Sequence, residues 1–329
     1  KKKQTIPLNK NENISFDQLE IISRQSKKKI SIKKINSLPR LLRKQINLDL
    51  KNIRLKKKNF SNFNFVKIPN LMGVLNLTPD SFSDGGKFNS KKKGISHALS
   101  MFKLGANIID IGGESTRPGS NTINSKLEWS RIEKIIRSIS KKIPISLDTR
   151  KSEIMKQGIK YKIKIINDVS GLSYDSETIK ILKKYKIPFV IQHSKGSPKN
   201  MQIKPSYKNE LLDIYDFFEQ KIKFLRSMGI KHNNIIIDPG VGFGKNLKHN
   251  MNLMSGISIF HSLGFPILVG NSRKRFIKEI SKKNDSKNRI GGTIASSIYL
   301  MMQGVQILRV HDINETMQAV KVFKKLIHY

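Results

Sequence analysis

Leu71-Met-Gly-Val-Leu-Asn76 is the first of eight short apolar, β-branch-rich runs, and its repetition decides the fold. The others cover 107–113, 144–149, 163–170, 189–194, 235–240, 266–272 and 307–312. The stretches between them carry helical patterning, so the chain spells strand then helix eight times. That period predicts an α/β protein, a (β/α)8 TIM barrel. From 71 to the last residue, 329, the chain has close to the ~250 residues such a barrel uses. In this architecture ligands meet the C-terminal ends of the strands, so polar residues ending these runs read as chemistry and not as packing.

Residues 1–66 are different text. Lysine runs at 1–3, 27–29 and 56–58 face four acidic residues, Glu12, Asp17, Glu20 and Asp49, and the strand–helix period is missing. We expect a basic N-terminal extension over 1–66, partly helical around 16–23 and 38–50, followed by a catalytic barrel over 67–329. The net charge of +39 raises the question of nucleic acid. The excess, however, is spread along the whole chain, and no zinc-finger, aromatic-platform or helix-turn-helix pattern accompanies it. No specific nucleic-acid partner is expected. The absence of cysteine excludes disulfides, thiolate chemistry and cysteine-based zinc sites. No apolar run reaches the ~18 residues of a membrane span, and residues 1–30 lack the apolar region of a signal peptide. A cytoplasmic protein without a membrane partner is expected.

The strand ends carry a coherent set of groups. Run one ends at Asn76, a hard oxygen donor, and leads into a segment bearing Asp80, Phe82, Asp84 and two glycines, the composition of a lid. Run two leads into Glu114-Ser-Thr116-Arg117-Pro118-Gly119, where small polar residues around one arginine suggest a loop that receives an anion. Runs three, four and six end in Asp148, Asn167 with Asp168, and Asp238. A carboxylate in a barrel mouth is costly unless N–H donors meet it, and a flat heterocycle with an amino group and a ring N–H would satisfy Asp238 bidentately, Asn167 and Asp148 completing the edge. Taken singly, each could instead cap a following helix. Asp238-Pro-Gly-Val-Gly-Phe-Gly-Lys245 departs from a phosphate-binding P-loop at Pro239 and Asn246, and from a dinucleotide fingerprint at Lys245. Its glycines suit close approach to a planar ligand stacked on Phe243. The seventh and eighth runs end in Ser272-Arg-Lys274 and Arg309-Val-His311-Asp312, at loops where such barrels often hold phosphate beside a helix N-terminus. The remaining histidines form no ligand-spaced pair.

These motifs together resemble the dihydropteroate synthase family of pterin-binding barrels. The likeness rests on Met72-Gly-Val-Leu-Asn-Leu-Thr-Pro-Asp-Ser-Phe-Ser-Asp-Gly-Gly86, Gly112-Gly-Glu-Ser-Thr-Arg-Pro-Gly119, Ser146-Leu-Asp-Thr149, Asn167-Asp-Val-Ser-Gly171, Asp238 through Lys245, Ser272-Arg-Lys274 and Arg309 through Asp312, in order and spacing, over about residues 70–325. The resemblance implies that Asn76 ligates Mg²⁺ with the diphosphate of a pterin substrate. It implies that Arg309, Val310, His311, Thr116 and Arg117 take up anionic or aromatic substrate groups, and that Asp148, Asn167, Asp238 and Lys274 hold the pterin ring. Val169, Phe243 and Gly270 would be pocket walls, and Phe82, Pro118 and Ser272 would line a 4-aminobenzoate pocket. Asp148, Lys274, Arg309 and His311 would be catalytic. A homodimer and a sulfonamide target are implied too. One motif departs: Gln192-His193-Ser194-Lys195-Gly196 places Ser194 where the family has an apolar pterin wall. The alternatives are a folate-dependent methyltransferase barrel, which has no use for an Arg-His diphosphate site, and a basic nucleic-acid-binding protein, whose mark would be salt-sensitive DNA retention by residues 1–66.

Overall fold

The computed structural model describes residues 5–11, 13–78, 91–115, 119–196, 201 and 203–327. Eight parallel strands follow the eight runs: β1 (Asn70–Asn76), β2 (Ile108–Gly112), β3 (Ile145–Asp148), β4 (Ile165–Asp168), β5 (Phe189–Gln192), β6 (Ile235–Asp238), β7 (Leu268–Val269) and β8 (Ile307–Val310). Each pairs with its sequence neighbour, and β8 returns to β1 through Ile307↔Asn70 to Val310↔Gly73. Between β6 and β7 the ladder shrinks to one parallel bridge, Ile237↔Ile267, with Ile237 N donating to Pro266 O at 3.0 Å. The sheet therefore closes into a barrel. Helices α1 (Lys91–Lys103), α2 (Ser125–Ile139), α3 (Ser152–Lys160), α4 (Thr178–Tyr185), α5 (Glu210–Ser227), α6 (Leu247–Ser255), α7 (Arg275–Ser281), α8 (Ile290–Met302) and α9 (Ile313–Leu326) form the outer shell.

Alternation along the strands sorts side chains between two cores. Leu71, Ile109, Leu147, Ile166, Ile191, Ile237, Val269 and Val310 pack outward with the helices. Met72, Ile108, Ile165, Val190, Ile236, Leu268 and Ile307 point inward and form a separate buried cluster with Phe63 and Phe65. This corrects the boundary expected from charge. The three rings of Phe60, Phe63 and Phe65 lie 5.2–5.8 Å apart, in the distance range of favourable aromatic pairs, and floor the barrel on its N-terminal side. Asn64 and Asn70 tie this segment to β1 by reciprocal bonds, Asn64 N to Asn70 Oδ1 at 2.8 Å and Asn70 Nδ2 to Asn64 O at 3.0 Å. Residues 60–65 thus belong with the barrel, although their lysine-rich surroundings read as extension.

The rest of the extension is docked. The helix Arg40–Arg54 confirms the expected helical stretch at 38–50 and lies against the 3-10 segment Ile257–Leu263, where Asn52 Nδ2 donates to Ser262 O at 2.8 Å. Residues 16–23 are not helical. Gln18–Ile22 pairs antiparallel with Lys27–Ser31, so that Leu19 and Ile21 alternate with exposed Gln18 and Glu20 and pack toward Ile30, Ile46 and Leu50. Period two wins over helix propensity because this apolar edge is what the N-terminal helix can bury. At the hairpin tip Arg24 meets Asp213 and Asp216 of α5 at 2.8 and 2.6 Å.

Candidate active site

One step above the apolar inward layer, the same strand faces turn polar. Two residues beyond Ile108, Ile165, Val190, Ile236 and Ile307 stand Asp110, Asn167, Gln192, Asp238 and Arg309, and the register Asp110↔Ser146 puts Asp148 on the same side. Arg309 is the hub. Its Nε donates to Asp110 Oδ2 at 2.6 Å and its Nη2 to Asp148 Oδ2 at 2.7 Å, while Asn167 Nδ2 donates to the same Asp110 oxygen at 2.9 Å. Burial pushes the Asp148 carboxyl up to about 8; Arg309 opposes this, and the nearby Asp110, Glu128 and Asp168 add to it. Asp110 Oδ1 and Asn167 Oδ1 are buried and unpartnered, so a ligand bearing N–H donors would find acceptors ready.

On the other side of the mouth, Asp238 is buried and its Oδ1 accepts the Gly240 N–H at 2.8 Å. Burial raises its pKa, against the charges of Lys274, Lys245 and Arg309 and the Gly240 amide. Lys274 donates to Val241 O and lies 4.6 Å from the centroid of Phe243. Burial lowers its pKa to about 8, with Asp238 restoring part of the loss and Arg309 adding to it. Lys274, Phe243 and Asp238 therefore form one wall: an ammonium over a ring beside a carboxylate. Gly270, in contact range of Lys274 Nζ and Arg309, leaves the space between them open.

Ser272 and His311 meet at the ends of β7 and β8. Ser272 Oγ accepts the His311 N–H at 3.2 Å and lies 3.0 Å from Nδ1, which orients the ring. Behind them Arg273 forms a two-pronged pair with Asp312, Nε–Oδ2 at 3.0 Å and Nη2–Oδ1 at 2.5 Å. Asp312 is thereby spent on the loop and does not cap α9 with its side chain. Under the second loop, Glu114 accepts from Arg150 Nε at 2.8 Å, Lys151 Nζ at 3.0 Å and the Ile123 amide at 3.0 Å, and Lys151 also reaches Glu128 at 2.5 Å. Burial alone would raise the Glu114 pKa, but these donors outweigh it and hold the carboxyl below its ordinary value.

Of the residues the sequence singled out, Asp148, Asn167, Asp238, Phe243, Gly270, Ser272, Lys274, Arg309 and His311 are brought together around the mouth, with Asn76 ending β1 half-buried beside Gly112 of β2. Val169 follows β4, half-buried. Phe82, Thr116, Arg117 and Pro118 lie outside the described residues. Val310 is a correction. It is fully buried toward the helices, between Arg309 and His311 but on the opposite face, so its side chain cannot touch a ligand in the mouth. Asp168 caps no helix: its Oδ1 accepts the Ser170 amide at 2.8 Å and hydroxyl at 2.6 Å within the loop, and the next helix, α4, begins only at Thr178. Two functional residues were missed. Asp110 sits one step below the strand end, where only the alternation Ile108, Asp110, Gly112 would have found it. Lys245 lies behind the glycine-rich loop and contacts His193.

The match of this geometry to known proteins is extensive. Residues 72–311 fit the family model described as pterin binding enzyme. A dihydropteroate synthase from Synechocystis is 39% identical over 79% of this chain and 91% of its own length, and that of Escherichia coli is 39% identical over 77% and 90%. The Yersinia pestis dihydropteroate synthase solved with a sulfonamide drug superposes with a TM-score of 0.76 at 36% identity, covering 79% of this chain and 95% of that one. The Xanthomonas albilineans enzyme solved with 4-aminobenzoic acid gives 0.73 at 32%, covering 79% and 93%. The chain, with its eight-stranded barrel and a mouth built on Asp110, Asp148, Asn167, Asp238, Lys274 and Arg309, belongs to the dihydropteroate synthases among the pterin-binding enzymes.

Proposed function

We infer that this protein is a transferase of folate biosynthesis that condenses (7,8-dihydropterin-6-yl)methyl diphosphate with 4-aminobenzoate to give 7,8-dihydropteroate and diphosphate. The observation carrying this reading is one mouth in which the buried acceptors Asp110, Asp148, Asn167 and Asp238 stand together with Arg309, Lys274 and His311. Asp238 and Asn167 would accept from the amino group and ring N–H of the pterin, whose face would rest against Phe243 and Lys274, with Val169 and Gly270 as walls. Arg309 and His311 would receive the diphosphate. Ser272, with Phe82 and Pro118, would line the 4-aminobenzoate side, and Thr116 and Arg117 would meet anionic or aromatic groups there. Ser194 gives this pocket a hydroxyl in place of an apolar wall.

An aromatic amine is a neutral nucleophile at pH 7 and needs no strong base; the difficulty lies in the departure of diphosphate. The C–O bond to diphosphate breaks, the amine nitrogen bonds the pterin methylene, and the amine proton passes to solvent. Arg309 and His311 stabilise the charge that develops on the leaving oxygen, and Asp148 in its ionised form would steady positive charge on the pterin. Among the described residues no group of three or more histidine, aspartate or glutamate side chains could cage a metal. The single amide oxygen of Asn76 suits Mg²⁺ that brings the rest of its oxygen shell with diphosphate and water. Bound there, Mg²⁺ would add Lewis-acid stabilisation of the leaving group.

The exposed apolar side chains Val322 and Leu326 of α9, in one groove with Ile294 and Ile298 of α8, support a homodimer through this face. Among the described residues no helix is long and apolar enough to cross a membrane. The drug in the Yersinia enzyme supports sulfonamide binding here as well. The deciding experiment is dihydropteroate formation by the purified protein from the two substrates, with and without Mg²⁺. Absence of product with both substrates and metal present would sink the reading.

A further inference from the structure

Lys245 is 2% exposed, yet it stands at the end of a glycine-rich loop and is not among the groups placed against substrate. Its ammonium has three protons and meets three acceptors: Gly240 O at 2.9 Å, Phe243 O at 3.0 Å and His193 Nδ1 at 3.0 Å. Two acceptors belong to the loop after β6, and the third to the residue after β5. The same two loops are pressed together at the backbone. A Cβ on Gly240 would lie 1.9 Å from His193 O and one on Gly244 2.5 Å from Lys195 O, both at positive φ, so neither position admits another residue without the loops parting. His193 N donates to Asp238 O at 2.9 Å, and Tyr207 Oη closes the far side on Gly244 O at 2.8 Å.

We propose that Lys245 is a positioning residue for the pterin half of the reaction: through His193 and the carbonyls of Gly240 and Phe243 it fixes the loop that carries Asp238 and Phe243. The arrangement needs His193 neutral with Nδ1 free to accept, and burial together with the charges of Lys245 and Lys195 holds the ring neutral, its pKa lowered to about 2. The positive charges facing Asp238 are Lys274, Lys245 and Arg309. Lys245 therefore also helps to keep that carboxylate ionised. Burial pulls Lys245 itself down to about 7, with Asp238 acting against the shift and Lys274 with it.

The inference rests on the assignment of Asp238 and Phe243 to the pterin, and its test separates the two. In Lys245→Met the KM for the pterin diphosphate should rise roughly ten- to a hundredfold, the worth of one charge-assisted hydrogen bond network lost. The KM for 4-aminobenzoate should stay within a few-fold. The acid limb of pterin binding should move to higher pH, because Asp238 loses one stabilising charge and protonates sooner. His193→Asn, which keeps an acceptor where Nδ1 stands, should retain pterin affinity, and His193→Ala should lose it; this pair decides the matter if Lys245→Met does not fold. Equal rises in both KM values, an unmoved acid limb, or equal affinity in His193→Asn and His193→Ala would overturn the proposal. Asp238→Asn serves as control: pterin binding that survives it removes the site assignment, whereas binding lost there but kept in Lys245→Met removes only the role of Lys245.

Discussion

The two ends of the barrel are built from the same strands, on the same inward face, by opposite chemistry. Ile108, Ile165, Ile236 and Ile307 lie against Phe63 and Phe65; two residues further on, about 6–7 Å along each strand, stand Asp110, Asn167, Asp238 and Arg309. The floor is shut by dispersion and water exclusion, with Asn64 and Asn70 bonded to each other at its edge. The mouth holds buried charges that each need a partner, and three of its acceptors or charges, Asp110 Oδ1, Asn167 Oδ1 and Asp238, are incompletely met by protein. Stability and binding are thereby separated along one dimension. Mutations at the two ends should fail in different ways, and that contrast can be broken by experiment.

The largest effect is expected at Asp238. Asp238→Asn should abolish pterin binding in calorimetry while leaving the melting temperature unchanged or raised, because the carboxylate is a buried charge that the protein alone does not fully compensate. A strong drop in melting temperature with binding intact would place Asp238 with the floor, as a structural group, and erase the contrast.

Arg309 sharpens the comparison, since it faces ligand and protein together. Arg309→Ala should weaken the pterin diphosphate about ten- to a hundredfold more than the free pterin. It should also leave Asp110 and Asp148 buried without their cation, a type of loss that costs about 3–5 kcal/mol. The Asp148 pKa is already raised, to about 8, by burial, so the stability linked to its protonated form is present at acid pH and lost as pH rises through that value. Without Arg309 the folded pKa rises further. The variant should therefore be close to wild type in acid and fall behind progressively toward alkaline pH. Arg309→Ala combined with Asp148→Asn should recover stability there without recovering diphosphate affinity. Equal weakening of pterin and pterin diphosphate would make Arg309 a fold residue only.

How much of this was legible in the sequence follows from the physics of each signal. The barrel was, because parallel strands covered on both sides are continuously apolar and recur eight times, and the ends of those runs located most of the mouth. Asp110 was not, because it lies inside an apolar run, two residues short of the strand end at Gly112. Lys245 was hidden by the glycines before it, whose spacing draws attention to ligands and away from the buried ammonium that holds the loop. Val310 was misplaced for the reverse reason: a family motif names consecutive residues, and alternation gives only every second one to the mouth. In the extension, composition spoke louder than pattern. Three phenylalanines at Phe60, Phe63 and Phe65 were masked by neighbouring lysines, and the strand at Gln18–Ile22 was too short for its period to stand out from a helix turn.

At the floor, Phe65→Ala should cost roughly 3–5 kcal/mol of stability, the range for deleting a buried phenylalanine. The KM values of the folded fraction should stay near wild type, since the polar layer is carried by strands that remain paired. Thermal unfolding and steady-state kinetics on one preparation check both halves. A selective rise in the pterin KM would mean that floor and mouth are coupled.

The smallest effect is expected where the chain was first divided. Deleting residues 1–54 removes the Gln18–Ser31 hairpin and the helix Arg40–Arg54, whose attachments include the Arg24 pairs with α5, the Asn52 bond to Ser262 and the Asn11 Nδ2 bond to Val66 O. None of these reaches the mouth, and the aromatic floor stays in place. Turnover should remain within a few-fold of the intact chain, with some loss of solubility from the uncovered 3-10 segment Ile257–Leu263. Deletion of 1–66 takes Phe60, Phe63 and Phe65 as well and opens the bottom of the barrel, so that this chain should be unfolded or aggregated. The two truncations differ by only twelve residues and should bracket the true edge of the catalytic unit. If both retain activity, the phenylalanines are dispensable packing and the floor is held by the strand residues alone; if both are dead, the N-terminal helix is part of the barrel's core and not a docked addition.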